Sequence, residues 1–162
     1  MSKTIKKIAV LTSGGDSPGM NAAIRSVVRT CAFHNIGCVG IYRGYQGMIE
    51  GDFKEMGPRS VNNIVNKGGT ILKSARSMDF KTPEGREKAH KNLVKAGIDA
   101  LVVIGGDGSF TGALLFNSEY KVARILLSPQ PVKAELPALL IATTFAIETG
   151  SCADQRIVPP KI

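Results

Sequence analysis

Ile8-Ala9-Val10-Leu11-Thr12-Ser13-Gly14-Gly15-Asp16 and Leu101-Val102-Val103-Ile104-Gly105-Gly106-Asp107-Gly108-Ser109 decide the fold of this chain. Each is an apolar run that stops at Gly-Gly-Asp, turns through more glycine and enters a helix-like pattern. A strand buried on both faces reads as a continuous apolar run, and open α/β sheets place ligands at the carboxyl ends of such strands. Glycine lets backbone N–H groups approach a phosphate that a Cβ would hold away, and the start of a following helix adds its positive end. An aspartate in the same turn is a hard oxygen donor suited to a magnesium ion that bridges phosphates. The two turns point to a nucleotide site.

Outward from these turns, strands and helices alternate. Met20, Ala23, Ile24, Val27, Val28 and Cys31 recur at the spacing of a helix packed on a sheet. Val39-Gly40-Ile41-Tyr42 predicts a second strand, and Arg43-Gly44-Tyr45-Gln46-Gly47-Met48 after it reads as a glycine-punctuated loop. Ser60 is the expected N-cap of a short helix that carries Val61, Ile64 and Val65 and ends at Gly68-Gly69. Thr82, Pro83 and Glu84 read as N-cap, first helical proline and first-turn acid of a helix running to about Ala96, with Gly97 just past its end. Residues 100–104 then form a central strand. Strand and helix in alternation imply βαβ crossovers, so the expected fold is a doubly wound, Rossmann-like α/β domain whose parallel sheet is covered on both faces.

A chain of 162 residues is one domain by size, and its net charge of +8 favours anionic partners. Nucleic acid is disfavoured, since no basic run is interleaved with aromatic residues and tryptophan is absent. Cys31, Cys38 and Cys152 form an odd set without C-x-x-C spacing, which suits reduced thiols rather than a disulfide framework or a zinc site, with Cys31 on the apolar helix stripe. No signal-peptide pattern opens the chain, and no apolar stretch reaches the roughly 20 residues of a membrane span, so a soluble cytoplasmic protein is expected. The composition shifts near Val122. Beyond it, five prolines surround one apolar stretch at 136–147, which reads as one more strand or short helix, and 123–162 is expected to be a divergent, poorly ordered tail.

Several residues in the turns are suited to chemistry. Gly105 to Gly108 offer consecutive N–H groups to a polyphosphate, with Ser109 as N-cap or phosphate donor and Asp107 as metal ligand or, alternatively, helix cap. Gly14-Gly15-Asp16-Ser17-Pro18-Gly19 is a second such loop, or else a tight turn. Arg76 follows the small residues Ser74 and Ala75, and its planar fork matches phosphate. Arg25 and Arg29, four apart on the polar face of the first helix, repel one another unless an anion lies between them. His34 and His90 lie at no ligand spacing and receive no role. Neither a G-x-S-x-G nor a Walker A sequence is present, which leaves acyl transfer and P-loop hydrolysis without support.

Four segments together resemble the bacterial 6-phosphofructokinase family. They are Leu11 with the fourteen residues to Arg25, Gly40-Ile41-Tyr42-Arg43-Gly44-Tyr45-Gln46-Gly47, Gly68-Gly69-Thr70-Ile71-Leu72-Lys73-Ser74-Ala75-Arg76, and Gly105-Gly106-Asp107-Gly108-Ser109. The resemblance runs from about Lys6 to Val122, which is read as an ATP-binding domain over 1–122. It implies transfer of the ATP γ-phosphoryl group to the 1-hydroxyl of fructose 6-phosphate in glycolysis, with Mg2+. By position it implies an ATP site at Gly15, Arg76, Ser77, Gly106, Asp107, Gly108 and Ser109, with Asp107 on the metal. Gly108 implies ATP rather than pyrophosphate, since pyrophosphate-dependent relatives carry Asp there. Arg25 and Arg29 match an allosteric ADP site between the subunits of a homotetramer, although the basic effector residue expected near 58 is displaced by Pro58-Arg59.

After the second Gly-Gly-Asp segment the family carries Pro-Gly-Thr-Ile-Asp-Asn-Asp, whose first aspartate is the catalytic base. Here Leu127-Ser128-Pro129-Gln130-Pro131-Val132-Lys133 stands instead. The expected base is absent, the fructose-phosphate half has no counterpart, and the sequence reads as a truncated or frame-shifted product with little activity of its own. Two other readings stay open: a noncatalytic nucleotide-binding or assembly module, and a Gly-Gly-Asp-Gly kinase of another substrate class.

Overall fold

The structure, a computed structural model, describes residues 5–127. The stretch at 136–147, Cys152 and most of the proline-rich segment lie outside these residues. Five strands form one sheet: β1 (Lys7–Thr12), β2 (Gly37–Ile41), β3 (Phe53–Glu55), β4 (Ala100–Ile104) and β5 (Ala123–Leu127). Their spatial order is β3-β2-β1-β4-β5. β1 pairs in parallel with β2 and β4, and β4 in parallel with β5. From β1 the chain crosses one way to β2, and from β4 the opposite way to β5, so the connections after β1 and β4 part and leave a crevice between them. This is the doubly wound α/β arrangement expected.

The apolar runs are buried on both faces. In β1, Ile8 and Val10 join the cluster of α1 (Met20–Phe33), while Ala9 and Leu11 join that of the opposite face. β4 divides the same way, Val102 and Ile104 against Leu101 and Val103. The second face is covered by α2 (Gly44–Glu50), α3 (Pro83–Lys95) and α4 (Asp107–Tyr120), which contribute Met48, Leu93 and Phe116. Alternation at period two thus feeds two cores from one strand. Cys31 and Cys38 are buried, unbridged thiols on the α1 side.

The structure corrects several readings. The sheet is mixed, because β3 pairs antiparallel with β2 at the edge. Residues 44–50 are helical rather than looped: Tyr45 and Met48 are buried, and the glycines that suggested a loop meet close approaches instead. A Cβ on Gly47 would overlap the Tyr42 carbonyl oxygen, and one on Gly44, whose φ is 59°, would lie 2.7 Å from the Thr12 carbonyl oxygen. Ser60 caps no helix; it is the third residue of a 3₁₀ turn (Pro58–Val61) and accepts the Gly57 N–H at 3.3 Å. Ser109, expected as N-cap, is the third residue of α4, where Gly106 is the cap and Asp107 the first helical residue. β2 begins at Gly37, two residues before the predicted start, and β5 occupies the first five residues of the segment read as a tail. In contrast, Thr82 caps α3 as expected, its hydroxyl accepting the Gly85 N–H at 3.1 Å, and Gly97 follows the helix with φ 67°.

α3 and α4 are joined by an ion pair. The buried Arg86 guanidinium donates from Nε and Nη2 to the two oxygens of Glu119 at 2.6 and 2.7 Å. This bidentate contact holds the Glu119 carboxyl below the usual carboxylate range.

The close approach at residue 47 makes a testable contrast. Gly47→Ala is expected to destabilise the domain by about 1–3 kcal/mol through forced backbone displacement. Gly112→Ala, whose Cβ would touch only ring edges at 3.5 Å or more, should cost less than the first variant. Urea unfolding of both variants measures the difference.

Candidate functional site

The crevice between β1 and β4 is a cavity of about 840 Å³. The Ser13 N–H donates to the Ile104 carbonyl at 2.9 Å and keeps the two strand ends side by side. Gly105 must lack a side chain, since a Cβ there would lie 2.7 Å from both the Ser13 carbonyl and the Ser109 Oγ. Gly14 turns with φ 89°, a conformation that favours glycine. Ser109 sits between the two turns, almost buried, and its carbonyl accepts the Tyr45 hydroxyl. Burial raises the Tyr45 phenol above its usual range, so it remains a neutral donor there.

Three further glycines behave differently. Gly15, Gly106 and Gly108 line the cavity, and none needs glycine for its own fold: each would have open space around an added Cβ, and none has positive φ. The open space lies beside the backbone at the turn after β1 and at the first turn of α4. A helix start presents N–H groups without intrahelical partners. Asp107 opens that helix with an exposed carboxylate, and Asp16 faces the same cavity from the β1 turn.

A third wall comes from residues 74–81, an irregular segment held from beneath. Buried Asn21, on the first turn of α1, donates from Nδ2 to the Lys67 carbonyl at 3.0 Å and accepts the Ile71 N–H at 2.9 Å. Buried Thr12, at the end of β1, donates its hydroxyl to the Lys73 carbonyl at 2.8 Å and lies 3.0 Å from the Thr70 hydroxyl. Past this double anchor the chain brings Arg76 to the cavity, exposed. Ser77 also lines it, but its hydroxyl is engaged, donating to Gln46 Oε1 at 2.8 Å and accepting the Phe80 N–H at 3.2 Å. Phe80 stacks on Tyr45 with ring centroids 4.1 Å apart and planes at 18°.

All seven residues assigned from sequence to the ATP site, Gly15, Arg76, Ser77, Gly106, Asp107, Gly108 and Ser109, line this one cavity. Arg25 and Arg29 do not. Arg25 donates to the Val61 carbonyl at 3.0 Å, and Arg29 is exposed. Sequence reading missed the apolar part of the lining, Met20, Tyr45, Phe80 and Gly112. Tyr45, Met48 and Ile49 at i, i+3 and i+4 carried a helical signal for α2, hidden by two glycines.

The family model described as phosphofructokinase matches residues 7–147. The chain belongs to the phosphofructokinase family. Over 118 residues it is 61% identical to an ATP-dependent 6-phosphofructokinase of Cytophaga hutchinsonii, covering 73% of this chain and 36% of the relative. A relative of the same description from Halothermothrix orenii is 60% identical over 121 residues, or 75% of this chain and 36% of its own length. The chain therefore spans about a third of these phosphofructokinases. Among solved structures, phosphofructokinase from Saccharomyces cerevisiae superposes with a TM-score of 0.75 at 42% identity, over 77% of this chain and 20% of that one. A pyrophosphate-dependent phosphofructokinase from Marinobacter aquaeolei shares the fold, with a TM-score of 0.64 at 16% identity over 76% of this chain and 33% of that one. The family match reaches 20 residues beyond the last described residue, from 127 to 147.

Asn21 anchors a segment through two bonds while itself buried, so its loss leaves a backbone donor and acceptor unpaired. In Asn21→Ala, the Ile71 amide should exchange its hydrogen at least about tenfold faster, the equivalent of roughly 1.4 kcal/mol of local opening. Amides of α3 should be unchanged. Exchange read by mass spectrometry or NMR checks both.

Proposed function

We propose that residues up to about 122, together with β5, form the ATP-binding domain of an ATP-dependent 6-phosphofructokinase, with the donor nucleotide in the cavity between β1 and β4. One observation carries the reading: Gly15, Gly106 and Gly108 line the cavity and are glycine where neither φ nor packing demands it, with open space where a side chain would stand. A phosphate chain brought against the backbone is what such openings accommodate. The Arg76 fork is suited to the phosphate oxygens, and the stacked Tyr45–Phe80 pair offers an apolar wall to the base. The family relation supports the reaction, transfer of the γ-phosphoryl group of ATP to the 1-hydroxyl of fructose 6-phosphate.

Magnesium fits the donor set. Among the described residues, no group of three or more His, Cys, Asp or Glu gathers around one point. Asp107 and Asp16 stand exposed on the cavity wall, and one or two carboxylates plus phosphates and water are what Mg2+ takes, rather than an all-protein cage. Asp107 would hold the ion, which when bound offsets the negative charge of the phosphates. No described residue is assigned as catalytic base.

The family relation also supports a homotetramer, with ADP as effector at Arg25 and Arg29. The buried free thiols of Cys31 and Cys38 suit a cytoplasmic setting, and among the described residues no helix is long and apolar enough to cross a membrane. A coupled assay with fructose 6-phosphate separates a kinase from a noncatalytic nucleotide-binding module.

Two variants test the site by calorimetric titration with ATP. Asp107→Ala is expected to weaken magnesium-dependent binding at least about tenfold, roughly 1.4 kcal/mol. Equal magnesium dependence in wild type and variant would sink the assignment. Gly108→Ala should weaken ATP binding while the thermal midpoint stays level or rises, because alanine is the better helix former at a position with room for it. Loss of binding together with stability would instead make Gly108 a folding residue.

A further inference from the structure

The Arg86–Glu119 ion pair lines no part of the cavity, yet it holds one of its walls. Four of the five guanidinium N–H groups have partners. Nε and Nη2 grip Glu119, and Nη1 donates to the carbonyls of Phe80 at 3.2 Å and Lys81 at 2.8 Å. Phe80 and Lys81, which line the cavity, belong to a 3₁₀ turn (Asp79–Lys81), and the Phe80 ring carries the stack on Tyr45. The first turn of α3 is pressed onto that 3₁₀ turn: a Cβ on Gly85 would overlap the Asp79 carbonyl. Glu119 stands near the far end of α4, the helix whose first residue is Asp107. Asp107 and Glu119 stand twelve positions apart, about 18 Å along the helix axis at 1.5 Å per residue. A single rigid element thus carries the phosphate turn at one end and the anchor of the aromatic wall at the other.

We propose that Arg86, oriented by Glu119, is a positioning residue that sets the Phe80–Tyr45 wall against the phosphate turn and so lets the site favour a nucleoside triphosphate over bare polyphosphate. The inference rests on the reading of the cavity as an ATP site and adds to it the origin of base preference. A buried ion pair is a poor source of net stability, because the loss of hydration offsets much of the attraction. What the bidentate contact supplies is direction: the fork is fixed in plane by the carboxylate, and its remaining N–H groups then fix two backbone carbonyls. Lysine at 86 would keep the charge and lose the fork. The glycine turns read phosphate regardless of the base, so disturbing the wall subtracts only the part of the affinity that the base contributes.

The test compares Mg·ATP with magnesium tripolyphosphate, titrated calorimetrically into the wild-type chain, Arg86→Lys and Glu119→Gln. The wild type is expected to bind ATP more tightly than tripolyphosphate. Each variant should lose about fivefold or more in ATP affinity and keep its tripolyphosphate affinity within about twofold. Glu119→Gln removes charge at a partly exposed helix end without changing shape, so it retains the fold even where Arg86→Lys does not. A parallel fall in both ligands would make the pair a general structural element and overturn the proposal, as would unchanged ATP affinity in Glu119→Gln. A wild type that binds both ligands equally would also overturn it while leaving the phosphate site intact. A wild type that binds neither would remove the nucleotide reading and this inference with it.

Discussion

The site depends on how closely the ends of β1 and β4 can approach. The Ser13 N–H bond to Ile104 continues the parallel pairing one residue past the strands, and the bare Cα of Gly105 lets the Ser13 carbonyl and the Ser109 hydroxyl close over it. Any side chain at 105 would push the two turns apart by the width of a methyl group. The turn after β1, the first turn of α4 and the Ser109 contact that joins them would then separate, and the floor of the cavity is made of those parts. Everything else around the cavity is built on this contact.

The glycines of the two cavity turns fall into three physical kinds. Gly14 serves a backbone angle, Gly105 serves a close approach, and Gly15, Gly106 and Gly108 serve neither. The third kind is the informative one, because a glycine that its own fold does not need weakens a helix start or turn for no structural return. The same distinction explains α2. Gly44 and Gly47 resemble loop glycines on paper, but in the structure they are the price of laying a helix directly against Thr12 and Tyr42.

The wall at 74–81 shows how an irregular segment becomes a fixed one. Asn21 and Thr12 are buried polar side chains that bond the backbone at Lys67, Ile71 and Lys73, which secures residues 67–73 to the ends of α1 and β1. Farther along, Ser77, Arg86 and the Thr82 cap tie the chain to α2, α4 and α3 in turn. The apolar lining of Tyr45 and Phe80 is thereby held in place by polar contacts on its outer side.

What the sequence by itself determined is local and periodic. The two apolar runs ending in Gly-Gly-Asp, the stripe of α1 and the Thr82-Pro83-Glu84 opening of α3 are each set by neighbours within a few residues, so they could be read without any tertiary knowledge. Ser60 and Ser109 misled because a serine can serve as a cap, a turn acceptor or a core hydroxyl, and only the surrounding backbone selects among these. The antiparallel edge strand at 53–55 carries three residues and no periodicity of its own; its pairing with β2 comes from the chain's return after α2. Likewise, Tyr45 and Phe80 lie 35 positions apart and become one wall only through packing. Tertiary structure decided which glycines face solvent, which carbonyls Arg86 holds and which residues share a cavity, because those are properties of distances between elements, and sequence spacing encodes distance only within one element.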